Sequence, residues 1–347
     1  MYHYFWPAYL MAAAHCAAVP LQQPLEPELT PGPIIIALSD ANVRDCTPPL
    51  LWEQHFHMYC TRVAEANGTS GYFGTVHHFY SPGADPTAAP WLTSGAALTA
   101  GSQPWESFGV FTPGALVDAS VHPPLWRLTY GAVGANFTRD RPFGNFTEAI
   151  GLASSPSPFG PWVRSPHNPI ATAGPRGSFF EERVDNARPN VLAGFGGAAL
   201  LIKGVQFDFE ALPGLWTPAG GAGFDGAWTA PAAPLVNASA ARDKGFENQE
   251  VMWGPDGLLH MIGHSHGCST TPRCNQHFVS RDEGATWAFA GVLRQNLDEP
   301  APVFNGTVPP TAHPPLAFVQ FFEDSENGKR LSVRAATIAW VPAARVV

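Results

Sequence analysis

Asp45, Asp185 and Glu247 stand at similar distances ahead of similar apolar strands, 13, 15 and 14 residues before Met58, Leu200 and Met261. Asp45 precedes Leu50-Leu-Trp52, Asp185 lies in Val184-Asp-Asn-Ala-Arg-Pro189, and Glu247 opens Glu247-Asn-Gln-Glu250 ahead of Val251-Met-Trp253. Carboxyl groups gathered from separate strands suit glycosidic bond cleavage. That reaction needs a protonated acid beside the leaving oxygen and a carboxylate that activates water or attacks carbon. A third acid can hold the donor's pKa up by like-charge repulsion. Taken singly, each acid reads as a turn or cap residue. The shared spacing makes the set a candidate site, with Glu247 and Glu250 both open as the proton donor.

A second constellation, His264-Ser-His-Gly-Cys268 through Cys274-Asn-Gln-His277, has the residue types of a zinc site, but its spacing fits no common zinc pattern. A Cys268–Cys274 disulfide accounts for it better. Ser280-Arg-Asp-Glu-Gly-Ala-Thr-Trp287 matches the Asp-box of sialidases, a structural motif. In it Ser and Asp oxygens accept turn N–H groups, Gly permits positive φ and Trp packs between strands. The chain has no Walker loop, no dinucleotide-binding glycine pattern and no Gly-x-Ser-x-Gly elbow, so nucleotide and serine-hydrolase chemistry lose support.

The elements that must position these residues recur along the chain. One apolar strand pattern appears as His55-Phe-His-Met-Tyr-Cys60, Trp126-Arg-Leu-Thr-Tyr-Gly131, Ala199-Leu-Leu-Ile-Lys-Gly204, Leu259-His-Met-Ile-Gly-His264 and Arg330-Leu-Ser-Val-Arg-Ala335. The first four copies are each followed by a turn-rich stretch ending in Trp91, Trp162, Trp228 and Trp287. A repeat of this length holds about four strands joined by tight turns, and four-stranded blades around an axis make a propeller. The expected fold is therefore all-β, a five-bladed β-propeller of four-stranded antiparallel blades. The blades are expected over 34–100, 101–170, 171–235, 236–295 and 296–347. The short fifth blade is completed by the N-terminal segment around Ile34-Ile-Ile36. A β-sandwich is the competing architecture. Trp52, Phe111 and Trp253 are expected near the axis, where they could stack on sugar rings.

Composition agrees with this. The 347 residues include 36 Pro and 34 Gly, scattered without a collagen-like period, and Pro costs about 3 kcal/mol inside a helix. Hydrophobic residues make up 45% and charged residues only 14%, so the chain folds around a large core rather than staying disordered. A net charge of −9 argues against nucleic acid and anionic membrane surfaces as partners. Met1 to Val19 is apolar and ends in small residues, as a signal peptide does, with residues 20–33 a Pro-rich lead into the domain. Five sequons, at Asn67, Asn136, Asn145, Asn237 and Asn305, and four cysteines beyond the leader suit an oxidising compartment. Cys46 is expected to bridge Cys60. The protein is expected to be secreted, glycosylated and monomeric.

Gly109-Val-Phe-Thr-Pro113, Ile150-Gly-Leu-Ala-Ser-Ser-Pro-Ser-Pro-Phe-Gly-Pro-Trp162, Asp185 ahead of Leu200-Leu-Ile-Lys-Gly204, and Asp256-Gly-Leu-Leu-His-Met-Ile262 together resemble glycoside hydrolase family 43 and its relatives. The resemblance runs as ordered motifs over about residues 40 to 335. It implies a propeller glycosidase that acts with inversion on arabinose- and xylose-containing glycans. By position Asp45 resembles the family's base, Asp185 its pKa modulator and Glu247 its acid, with Glu250 the alternative acid. The family carries Pro where this chain has Cys46, and Gly-Pro or Asp-Pro where it has Asn248-Gln249. The chemistry requires no cofactor. His277, in His277-Phe-Val-Ser-Arg-Asp282, resembles the family's histidine that holds a hydrated calcium or sodium ion on the axis. A catalytically inactive carbohydrate-binding propeller and a sialidase-like exo-glycosidase are the alternatives on the same fold.

Overall fold

The structure is a computed structural model that describes residues 23–38, 41–64, 74–134, 148–195, 197–206, 211–236, 246–266, 273–293, 301–310, 313–324 and 330–343. Its first strand, β1 (Leu25–Ile36), finds its partner at the other end of the chain. Blade one contains β2 (Ala41–Arg44), β3 (Leu50–Trp52), β4 (His55–Ala64), β5 (Thr75–Tyr80) and β6 (Leu92–Leu98), with β2 and β3 sharing the innermost place against β4. Blade two runs β7 (Gly109–Asp118), β8 (Leu125–Val133), β9 (Glu148–Ser155) and β10 (Val163–Arg164). Blade three runs β11 (Arg183–Leu192), β12 (Gly197–Val205), β13 (Ala211–Pro218) and β14 (Trp228–Thr229). Blade four runs β15 (Phe246–Trp253), β16 (Leu259–His266), β17 (Arg273–Ser280) and β18 (Ala288–Val292). Blade five places β19 (Ala301–Val303), β20 (Ala317–Asp324) and β21 (Arg330–Pro342) inside β1. All pairings within blades are antiparallel, which makes the five-bladed propeller expected from the repeat.

The ring closes through β1, which pairs with β21 from Leu25↔Pro342 to Ile36↔Val333 and so extends well ahead of Ile34. This closure shifts the fifth repeat. The recurring apolar pattern lies on the second strand of blades one to four, but the copy at Arg330 falls on β21, the third strand of blade five. Because the N-terminus supplies the fourth strand, the chain's last strand takes the third place, and Ala317–Asp324 is the true counterpart of the earlier copies. The tryptophan markers are regular: Trp91, Trp162, Trp228 and Trp287 each stand at the start of a blade's outermost strand.

Apolar side chains fill the spaces between blades in three clusters. One joins blades two, three and four around Leu200, Ile202, Trp216 and Phe278; a second draws on blades one, two, four and five around Trp126 and Phe318, and a third joins blades one and five around Phe56 and Val333. The Asp-box forms as its residue types require. Ser280 Oγ donates to Asp282 Oδ1 at 2.8 Å, Gly284 N donates to Ser280 Oγ at 2.8 Å with φ of 96°, and Trp287 Nε1 donates to Gly284 O at 3.0 Å.

Cys46 and Cys60 form a disulfide, as the cysteine count suggested. Cys274 is disulfide-bonded, and Cys268, its expected partner, lies outside the described residues. So do the leader and the sequons at Asn67, Asn136, Asn145 and Asn237; Asn305 is described and exposed.

Candidate active site

The innermost strands of blades one to four share a bulge. In β7, Phe111 pairs with Gly131 and Gly114 with Thr129; in β11, Asp185 pairs with Lys203 and Arg188 with Leu201; in β15, Glu247 pairs with His264 and Glu250 with Ile262. Each inner strand thus advances three residues while its partner advances two. Blade one repeats the count, since Arg44 pairs with Thr61 and Thr47 N donates to Tyr59 O at 2.8 Å. The second residue of each bulge sits in the left-handed region: Asp45 at φ 48°, Thr112 at 43°, Asn186 at 51° and Asn248 at 49°. Asp and Asn tolerate that region best, and a bulge re-aims the side chains around it.

This register separates acids that the spacing made equivalent. Asp185 and Glu247 are first residues of their bulges, alongside Arg44 and Phe111, whereas Asp45 is a second residue, alongside Thr112, Asn186 and Asn248. Phe111 lies level with the acids, and its ring and the Thr112 hydroxyl occupy the space that a Cβ on Gly131 would need.

A buried lysine joins Asp185 to Glu247. Lys203, opposite Asp185 on β12, places Nζ 2.6 Å from Asp185 Oδ2 and 2.7 Å from Glu247 Oε2. Asp185 Oδ1 also accepts from Thr112 Oγ1 at 3.2 Å and from Asn186 N at 2.6 Å. Burial alone would raise the Asp185 carboxyl; the Lys203 charge and hydrogen bonds from Glu148 and Lys203 outweigh it and hold the group below the usual carboxylate range. Glu148, at the start of β9, moves the other way: burial and the Asp185 charge push it well up, with Arg183 at 3.6 Å opposing. Glu247 keeps about a fifth of its side chain exposed, 21%, and its Oε1 faces His264 Nδ1 at 3.8 Å. Arg44, at 22%, is similarly open and pairs through Nε with Asp45 Oδ2 at 2.6 Å.

Glu250 sits deeper, paired with Arg188 Nε at 2.6 Å in an orientation that makes an ion pair rather than an aligned hydrogen bond. Burial pushes its carboxyl up to about 7 against the pull of Arg188. Arg188 also donates to Pro113 O and, at 3.4 Å, to Cys46 O, so it ties the bulges of blades one, two and four together. Asp45, Glu148, Asp185, Glu247 and Glu250 therefore each have a basic partner. Sequence reasoning missed Lys203, Arg188 and Glu148. Lys203 carried a signal: a lone ammonium inside the apolar strand Leu200-Leu-Ile-Lys-Gly204 of a chain poor in charge must find a buried partner.

The two tryptophans lie elsewhere. Trp253 follows Glu247 by six residues, about 20 Å down the same strand, and packs on the core of blades two to four. Trp52 stands at the corresponding far end of β3, edge-on to Trp126 at 5.9 Å between ring centroids. His277 is buried in blade four, where its Nε2 meets His260 Nδ1 at 2.8 Å. Among the described residues no three His, Cys, Asp or Glu side chains gather as a metal site.

No protein-family model matches the chain, and no curated protein matches its sequence. Solved structures share its fold. A family 117 glycoside hydrolase from the marine bacterium Zobellia galactanivorans superposes with a TM-score of 0.68 at 14% identity, over 90% of each chain. A thermostable family 43 glycoside hydrolase gives 0.54 at 14% identity, over 88% of this chain and 92% of that one. An endo-arabinase from Bacteroides thetaiotaomicron gives 0.53 at 14% identity, over 91% and 98%. The chain thus has the five-bladed propeller fold of these hydrolases.

Proposed function

We propose that the chain is a secreted glycoside hydrolase acting by inversion on arabinose- or xylose-type glycans, with Asp45 as base, Glu247 as acid and Asp185 tuning that acid. The observation that supports this reading is the shared bulge of the inner strands, which carries Asp185 and Glu247 at its first position and Asp45 at its second. The names of the solved structures sharing the fold, an endo-arabinase among them, support the substrate class. An ammonium at hydrogen-bond distance favours an ionised carboxylate, so the transferable proton of Glu247 belongs on Oε1, the oxygen facing His264. The Cys46–Cys60 bridge and the exposed Asn305 sequon support secretion.

The basic partner beside every acid favours a second reading, a propeller that binds glycans without cleaving them. Incubating the purified chain with aryl pentosides and with arabinan and xylan oligomers decides between the two. Sugar release that disappears in Asp45→Asn supports hydrolysis; sugar binding without release supports the binder.

A further inference from the structure

We propose that the Cys46–Cys60 disulfide is a positioning device for Asp45, so that breaking the bridge without another constraint at Cys46 slows turnover. The inference rests on Asp45 being the base. Cys46 is the third residue of its bulge, and in each blade that position is held by a different means. In blade two it is Pro113, whose ring fixes the backbone and whose carbonyl accepts from Arg188. In blade three it is Ala187, whose carbonyl accepts from Thr129 Oγ1 at 2.8 Å. In blade four it is Gln249, whose amide donates to Asn186 O at 3.0 Å and Leu201 O at 3.3 Å. In blade one a covalent bond is added to the long Arg188 contact with the Cys46 carbonyl, and only there is the residue just before that position a candidate catalytic acid.

Blade one also has the greatest need of a tie. Its inner strand breaks into β2 and β3, and residues 45 to 49 between them belong to no strand. Pro48 and Pro49 have no N–H to give the ladder. Between Arg44 and Leu50, the Thr47 N–H bond to Tyr59 is the ladder contact that remains. The bridge fastens Cys46 onto β4 directly beside Asp45, whose carboxylate otherwise leans on the partly open Arg44. Both sulfurs are buried among Val43, Phe56 and Met58.

Two double variants test this. Cys46→Ala with Cys60→Ala should fold with a lowered melting temperature and lose about 10- to 100-fold in kcat while KM stays within about twofold, as expected when a group near the chemistry is misplaced. Cys46→Pro with Cys60→Ala should recover most of that loss, because Thr112-Pro113 already shows the same bulge closed by proline after a residue at positive φ. An unchanged kcat in the alanine pair, or a proline pair no better than the alanine pair, overturns the inference and leaves the hydrolase reading standing. If the wild-type chain releases no sugar at all, the hydrolase reading fails instead. Crystal structures of the wild type and the alanine pair then decide the positioning: a displaced Asp45 upholds it, and a superposed one refutes it.

Discussion

Blades one and four solve the same structural problem with different partners. Each carries a candidate acid in the same bulge, and each has a diagonal imidazole pair between its second and third strands. His57 Nδ1 meets His78 Nε2 at 3.0 Å in blade one, and His260 Nδ1 meets His277 Nε2 at 2.8 Å in blade four. The registers agree: His78 lies opposite Tyr59, two residues after His57, and His277 lies opposite Ile262, two residues after His260. Blade one draws its partners from itself, with Arg44 and the disulfide around Asp45 and the Ser94 hydroxyl, 2.8 Å from His78, ending the imidazole pair. Blade four draws Lys203 from blade three to hold Glu247, and its imidazole pair ends on Asp256, which also accepts from Leu25 N of the closing strand at 2.9 Å. The carboxyl partner in one half of the candidate site thus comes from its own blade, and in the other half from the neighbouring blade.

The largest expected effect separates the two halves. Lys203→Met leaves Asp185 and Glu247 side by side without their shared cation and should destabilise the fold by about 3–5 kcal/mol in denaturant unfolding. Arg44→Met removes one partly open cation from the single buried carboxylate of Asp45 and should cost less than the loss of a cation shared by two. Equal losses would erase the distinction between the two halves.

Acidification probes the imidazole pairs. Burial lowers His57 to about 4, with the hydrogen bond it donates to the Trp52 backbone opposing, and lowers His78 and His277 to about 3, aided in each case by the facing imidazole. These folded values lie below the ordinary 6.5, so the unfolded chain binds more protons between about 6.5 and 4. Stability is full above that window and falls as the pH drops through it, by about 1.36 kcal/mol per pH unit for each net proton. Melting temperatures from pH 7 to 4.5 should show the fall, and His78→Gln should flatten it. Asp256→Asn removes the charge that compensates a proton on the blade-four pair and should steepen the fall, while Ser94→Ala, which removes no charge, should not. The smallest effect is kinetic: in Lys203→Met protein that still folds, the alkaline limb of the pH–rate profile should move to higher pH, because the cation favouring ionised Glu247 is gone.

Much of the fold was legible because strands, turns and marker tryptophans recur at nearly constant spacing. Ring closure was legible in Ile34-Ile-Ile36, although the placement of Arg330 on the third strand of blade five was not. The candidate acids were found by counting residues to the next strand, a count that cannot see a one-residue bulge offset. Asp45 therefore looked equivalent to Asp185 and Glu247, whereas it sits one position later. Arg188 was hidden because its partners come from other blades, and Lys203 because one of its two, Glu247, does, a relation that only the docked ring creates. Trp52 and Trp253 misled because residue type suggests stacking while strand length carries them to the far end.

The most direct test follows the anomeric proton signals by NMR during hydrolysis of an aryl arabinoside or xyloside by wild type, Asp45→Asn and Glu247→Gln. The expected result is product first released with inverted configuration by the wild type, with both variants slower by about 10²–10⁴-fold. Release by Asp45→Asn at the wild-type rate, or no release by the wild type from any such glycoside, would contradict the assignment of these carboxyls to glycosidic bond cleavage.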